Sequence, residues 1–104
     1  MNINNLESCF SYAVMVSAKY VAVLVEMDGF AEPEIIINDI NNAKDKLEYY
    51  KKAYNNDLTH KYSDGIRIIA FTYGDSFKDI EHDLVDVDLR KFLEIEHEEG
   101  FMGE

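Results

Sequence analysis

Cys9, His60, His82 and His97 are the residue types from which nucleophilic or metal chemistry is built. A cysteine acts as a nucleophile only beside a base and an orienting group, and every histidine lies far from Cys9 in sequence. Cys9 falls on an apolar repeat with Leu6, Phe10, Ala13 and Val14, where it reads as a small buried hydrophobe. Two histidines stand in Asp79-x-x-His82 and Glu94-x-x-His97, spacings that put a carboxylate and an imidazole on one side of a helix. Paired motifs of this kind hold two metal ions in helical bundles, where carboxylates from other helices complete the site amid apolar residues. Here Glu81, Asp83, Glu96, Glu98 and Glu99 crowd the histidines, which is the pattern of a solvated face. Metal binding through these pairs stays as an alternative reading, with no ligand set assigned. The glycines form no phosphate-cradling run and no nucleophile elbow is present. Neither a cofactor nor an enzymatic activity is expected.

Charge is the stronger signal. The chain carries 10 Lys and Arg against 21 Asp and Glu, a net charge of −11. The last thirty residues hold eleven of the acids against Lys78, Arg90 and Lys91, whereas residues 1–74 hold ten acids and seven bases. Such a surplus opposes direct binding to nucleic-acid phosphates. One reading is a solvated face that only keeps the chain soluble. The sharper one is a surface that docks on something basic, where complementary fields raise the on-rate and select the partner. Its candidate contacts are Asp79, Glu81, Asp83, Asp86, Asp88, Glu94, Glu96, Glu98 and Glu99. Lys44, Lys46, Lys51 and Lys52 alternate with Asp45 and Glu48 and read as a solvated helix face. Of the seven tyrosines, Tyr50 and Tyr54 belong to an apolar stripe. Tyr49 and Tyr62 are expected nearer the surface, beside carboxylates, a composition suited to protein contacts.

The elements that must position these residues follow from periodicity. With 104 residues, 47% hydrophobic, the chain reads as one domain, 1–104, ending in an acidic helical segment, 75–104. No stretch approaches the ~20 apolar residues of a membrane helix, and the N-terminus does not read as a secretory signal. The single cysteine rules out an intrachain disulfide and fits a reducing cytoplasm. Leu6, Cys9, Phe10, Ala13 and Val14 predict a helix over 5–17, capped by Asn4 or Asn5. Tyr20–Met27, valine-rich and almost wholly apolar, predicts a strand covered on both faces. Asp28-Gly29 turns the chain, and 34–38 returns as a second, antiparallel strand. Ile40, Ala43, Leu47, Tyr50 and Tyr54 predict a helix over 39–55, ended by Asn55-Asn56. A third strand covers 66–73, with Ile66, Ile68 and Ala70 on one side and Arg67, Ile69, Phe71 and Tyr73 on the other. Ser76 caps a helix to about Leu84 carrying Phe77, Ile80 and Leu84 on one side. Residues 86–99 fit a strand at Val87 and Leu89 or a helix through Leu89, Phe92, Leu93 and Glu96, with helix favoured from Leu89. The fold class is α+β, in the order α-β-β-α-β-α-α, with a three-stranded, mainly antiparallel sheet ordered 2-1-3. The 39–55 helix is expected on one face of the sheet. Its exposed edges invite a homodimer by edge pairing or helix packing.

Residues 20–71, through Val25-Glu26-Met27-Asp28-Gly29-Phe30, Pro33-Glu34-Ile35-Ile36-Ile37-Asn38, Lys46-Leu47-Glu48-Tyr49-Tyr50-Lys51-Lys52-Ala53-Tyr54 and Gly65-Ile66-Arg67-Ile68, resemble small uncharacterised proteins of phages and prophages from low-GC Gram-positive bacteria. Small acidic proteins of that kind include the anti-CRISPR inhibitors. By class, the resemblance implies an inhibitor that acts as a nucleic-acid mimic. Such a protein would bind a host defence protein, such as a Cas effector, at its basic nucleic-acid site in the bacterial cytoplasm. The alternative is a protein–protein interaction or self-assembly module of a phage, in which the acidic segment serves solubility.

Overall fold

A computed structural model describes residues 1–84 of the chain. Helix α1 spans Ile3–Met15, strand β1 Tyr20–Met27 and strand β2 Glu34–Asp39. A 3-10 turn, Ile40–Asn42, leads into helix α2, Ala43–Ala53, and strand β3 spans Ile66–Gly74. Helix α3 occupies 77–84. The sheet order is β2-β1-β3 with β1 antiparallel to both neighbours, as the apolar character of β1 and the short hairpin connection require. No helix among the described residues is long and apolar enough to cross a membrane. The predicted helix from Leu89 lies outside the described residues.

Val21 to Val25 are all buried, so both faces of β1 are covered. Val21, Val23 and Val25 pack with Leu6, Phe10 and Ala13 of α1 and Ala43, Tyr50 and Ala53 of α2. Both long helices therefore share one face. Ala22 and Leu24 point the other way and meet Ile80 and Leu84 of α3. Small sheet residues face large helix residues there, which lets α3 sit close; a Cβ added at Gly74 would stand 3.2 Å from Ile80 Cγ1.

The strict alternation expected for β3 is broken. The register moves from Leu24↔Ala70 to Val25↔Ile68, so Ile69 is an extra residue opposite β1. A bulge reverses the phase of everything beyond it. Ile66, Ile68, Phe71 and Tyr73 consequently join the α1–α2 core, while Ile69 and Ala70 join the α3 core.

The helix ends also correct the sequence reading. α1 is capped by Asn2, whose side chain accepts from Asn5 N–H (3.1 Å) while Asn5 Oδ1 accepts from Asn2 N–H (2.8 Å). Asn5 is thus the inner member of a capping box. Val14 leaves the buried stripe and is 54% exposed; it stands at the rim of a cleft of about 280 Å³ between α1 and α2. At the other end Ala18 N–H bonds Ala13 O (3.0 Å) and Ser17 N–H bonds Val14 O (3.1 Å). This is a Schellman closure with Ser17 at φ 60°. The 39–55 helix divides at Ala43: Asp39 caps the 3-10 turn through Asn41 N–H (2.9 Å), and regular helix continues from there. It ends with Tyr54 in extended backbone (φ −118°, ψ 148°), not through Asn55-Asn56. Tyr54 stays buried and pairs with His60 in an isolated antiparallel bridge. The left-handed position falls on Leu58 (φ 71°), which is wholly buried. The strain of ~1–2 kcal/mol is outweighed by burying leucine, about 1.5–3 kcal/mol.

Phe10→Ala is expected to lower unfolding free energy by about 3–5 kcal/mol, and Val14→Ala by less than about 0.5 kcal/mol, in urea titrations. Equal losses would contradict this helix phase. Ser17→Gly relieves the left-handed strain and is expected to add about 1 kcal/mol, read as a higher midpoint at unchanged m value.

Candidate functional site

The candidate site begins at α3, the described part of the acidic segment. Ser76 Oγ accepts from Asp79 N–H (3.1 Å) and caps the helix, as the sequence predicts. Ile80 and Leu84 hold it to the sheet, and Phe77, though 55% exposed, rests edge-on against Tyr20 with ring centroids 4.9 Å apart. At 100° per residue, this anchoring places Asp79 and Asp83 on one flank and Glu81 on the other. Lys78 and His82 lie on the outer side. Asp79, Glu81 and Asp83 are all exposed.

The carboxylates are not equivalent. Asp83 Oδ2 accepts a bond from Thr72 Oγ1 (3.1 Å), tying the helix to β3. Asp75 Oδ1 accepts from Lys19 N–H (3.2 Å), joining the end of β3 to the start of β1. Neither bond has a local sequence signature, since the partners are brought together by the sheet. Asp79 and Glu81 are the exposed acids most directly presented. Asp86, Asp88, Glu94, Glu96, Glu98 and Glu99, with the Glu94-x-x-His97 pair, lie outside the described residues.

A second polar region lies at the opposite end of the strands, where the sequence predicts only a loop. Bridges Tyr54↔His60 and Thr59↔Arg67 fold residues 54–67 back on themselves, framing a cleft of about 350 Å³ lined by Asn55, Thr59, His60, Lys61 and Arg67 among others. His60 Nδ1 accepts from Tyr62 N–H (3.1 Å), and its ring stands 4.9 Å from that of Tyr54. Arg67 pairs with Glu26 across β1–β3. Thr59 donates to the Asp57 carboxylate and holds it below the usual carboxylate range. These bonds brace the loop.

Tyr50 and Tyr54 are buried and Tyr49 and Tyr62 exposed, as the stripe predicts. Burial pushes the Tyr50 hydroxyl up to about 12. Cys9 is half-buried against the α1–α2 core, and burial pushes its thiol up to about 11. Among the described residues, no three His, Cys, Asp or Glu side chains gather as a metal-holding group. Compared with protein-family models, curated proteins and solved structures, the chain matches none.

With its thiol raised from 9.0 to about 11, Cys9 should react with iodoacetamide at pH 8 about a hundredfold more slowly than an unfolded-peptide cysteine. The rate should rise to the peptide value in urea. A native rate equal to the peptide's would show an accessible, activated thiol.

Proposed function

We propose that this chain is a non-enzymatic acidic inhibitor, encoded by a phage or mobile element. In this reading it binds a host nucleic-acid-handling defence protein in the bacterial cytoplasm, in the manner of an anti-CRISPR. The observation that carries the reading is the placement of Asp79 and Glu81. They are exposed on a helix whose other side is fixed to the sheet by Ile80 and Leu84. They also open a segment with eleven acids against three bases. A rigidly presented carboxylate can take the place of a phosphate as the partner of Arg or Lys. A basic groove that normally holds nucleic-acid phosphates then takes protein carboxylates in their place and releases the anions associated with it. Phe77, exposed beside Tyr20, supplies an aromatic anchor at the foot of the same helix.

The near balance of charge in residues 1–74 supports a division of labour. The sheet, the α1–α2 layer and the buried side of α3 carry the fold, and the exposed carboxylates of the acidic segment carry the encounter. Such an interface gains on-rate from long-range attraction and loses it as salt screens the field.

Affinity capture on the full chain from a bacterial host lysate, eluted by rising salt, should release a nucleic-acid-handling protein. The affinity of that pair should fall linearly in log–log form with salt. Nucleic acid should compete, and Asp79→Asn with Glu81→Gln should flatten the salt dependence and weaken binding several-fold. A partner held equally at low and high salt, or bound together with its nucleic acid, would overturn the proposal.

A further inference from the structure

The two edges of the sheet are treated differently. The outer edge of β3 is covered at its start, where His60 N–H bonds Ile66 O (2.8 Å) and Ile68 N–H bonds Leu58 O (2.9 Å). Further along it carries the bulge at Ile69, a device that twists an edge away from pairing. Among the described residues, β2 has neither device. Its register with β1 runs without interruption from Tyr20↔Asp39 to Val25↔Glu34, and it contains no lysine.

The direction of its backbone groups follows from one bond. Ile40 N–H donates to Lys19 O (2.9 Å), so by antiparallel alternation residues 34, 36 and 38 bond β1 and residues 35 and 37 turn their N–H and C=O groups outward. Among the described residues, no backbone bond beyond the β1 ladder reaches Ile35 or Ile37. An incoming antiparallel strand must bond at these two positions.

The strand is complementary to itself in one register. With Ile36 on a two-fold axis, Ile35 pairs with Ile37 of the second copy and Ile37 with Ile35, both as bonded pairs. Ile36 meets Ile36, and Glu34 meets Asn38, so no like charges are opposed. A shift of one residue sets outward groups against inward ones. A shift of two puts Ile36 against Glu34 or Asn38. The side chains also extend both cores, because Ile36 packs on the α1–α2 side and Ile35 and Ile37 on the α3 side. All three are only partly buried.

We infer that β2 pairs antiparallel with β2 of a second copy about Ile36, joining the two sheets into one. Each copy carries −11, so the copies repel, and the dimer tightens as salt rises. This is the opposite sign to docking on a basic partner, so failure of one reading is distinguishable from failure of the other.

Sedimentation velocity on the full chain, up to millimolar concentration at about 0.05 and 0.5 M salt, should show a monomer–dimer equilibrium that shifts to dimer at the higher salt. Ile37→Pro removes an outward N–H that no other described residue accepts, a site where an edge strand accepts proline. It should weaken the dimer by about tenfold or more, with the far-ultraviolet circular dichroism retained. In a Cys9→Ser background, Ile36→Cys should cross-link on mild oxidation, since a non-bonded antiparallel pair brings Cα atoms to about 4.5 Å. Glu34→Cys should not. A chain monomeric at high salt, or a dimer indifferent to Ile37→Pro and lacking the Ile36→Cys cross-link, would overturn the inference.

Discussion

The constraint on which the rest of the structure depends is the two-sided burial of β1. Val21, Ala22, Val23, Leu24 and Val25 are all at most 3% exposed. A strand with no polar face cannot lie at the surface, so the chain must supply a layer on each side. The α1 and α2 helices supply one. The other comes from the segment after β3, where Ile80 and Leu84 of α3 supply it. The acidic segment is therefore anchored at its start. Its first turns are a structural lid over Ala22, Leu24 and Ala70, and the exposed carboxylates are carried on the outside of that lid.

Because the lid is only as firm as its contacts, the polar ties at its edge matter. Thr72 donates to Asp83, and Lys19 N–H donates to Asp75. These bonds use acids that composition alone would assign to solvent. The Asp83 bond fixes the rotation of α3 about its axis more than it stabilises the fold, and the Asp75 bond holds the chain leading into it, since exposed bonds of this kind contribute about 1 kcal/mol or less. That rotation decides which carboxylates face outward. The Lys51–Glu7 pair (3.2 Å) plays a similar part between α2 and α1 on the far side, where an exposed ion pair is worth at most about 1 kcal/mol.

The features legible in the sequence are those that depend on near neighbours. The bounds of β1, the stripe of Ala43, Tyr50 and Tyr54, the Ser76 cap and the 2-1-3 order all derive from periodicity, cap chemistry and connection length. The features that were not legible depend on partners distant in the chain. Nothing local marks Ile69 as a bulge, because a run of isoleucines fits either phase and only pairing with Leu24 and Val25 selects one. Val14 continues the apolar repeat of α1, yet it stands exposed at the rim of the cleft between α1 and α2. Tyr54 leaves its helix one residue ahead of an asparagine pair suited to end it, because its extended backbone pairs with His60. At the candidate site, the exposure of Asp79 and Glu81 is implied by the helix pattern, whereas the engagement of Asp83 requires the sheet to bring Thr72 beside it.

The distribution of charge connects these facts. Residues 1–74 hold the ion pairs Lys51–Glu7 and Arg67–Glu26 and stand near neutrality for their length. Among the described residues, the cores contain no buried charged residue. Changing Asp79 or Glu81 therefore removes no partner from a buried group, and its cost to the fold is confined to surface electrostatics. The surplus of like charge is itself mildly destabilising to a compact state, and residues 75–104 carry most of it. Among the described residues, the start of that segment is held by Ile80 and Leu84 in the second core and by the Thr72–Asp83 and Lys19–Asp75 bonds at its edge, so Asp79 and Glu81 can change without disturbing the sheet or its two cores.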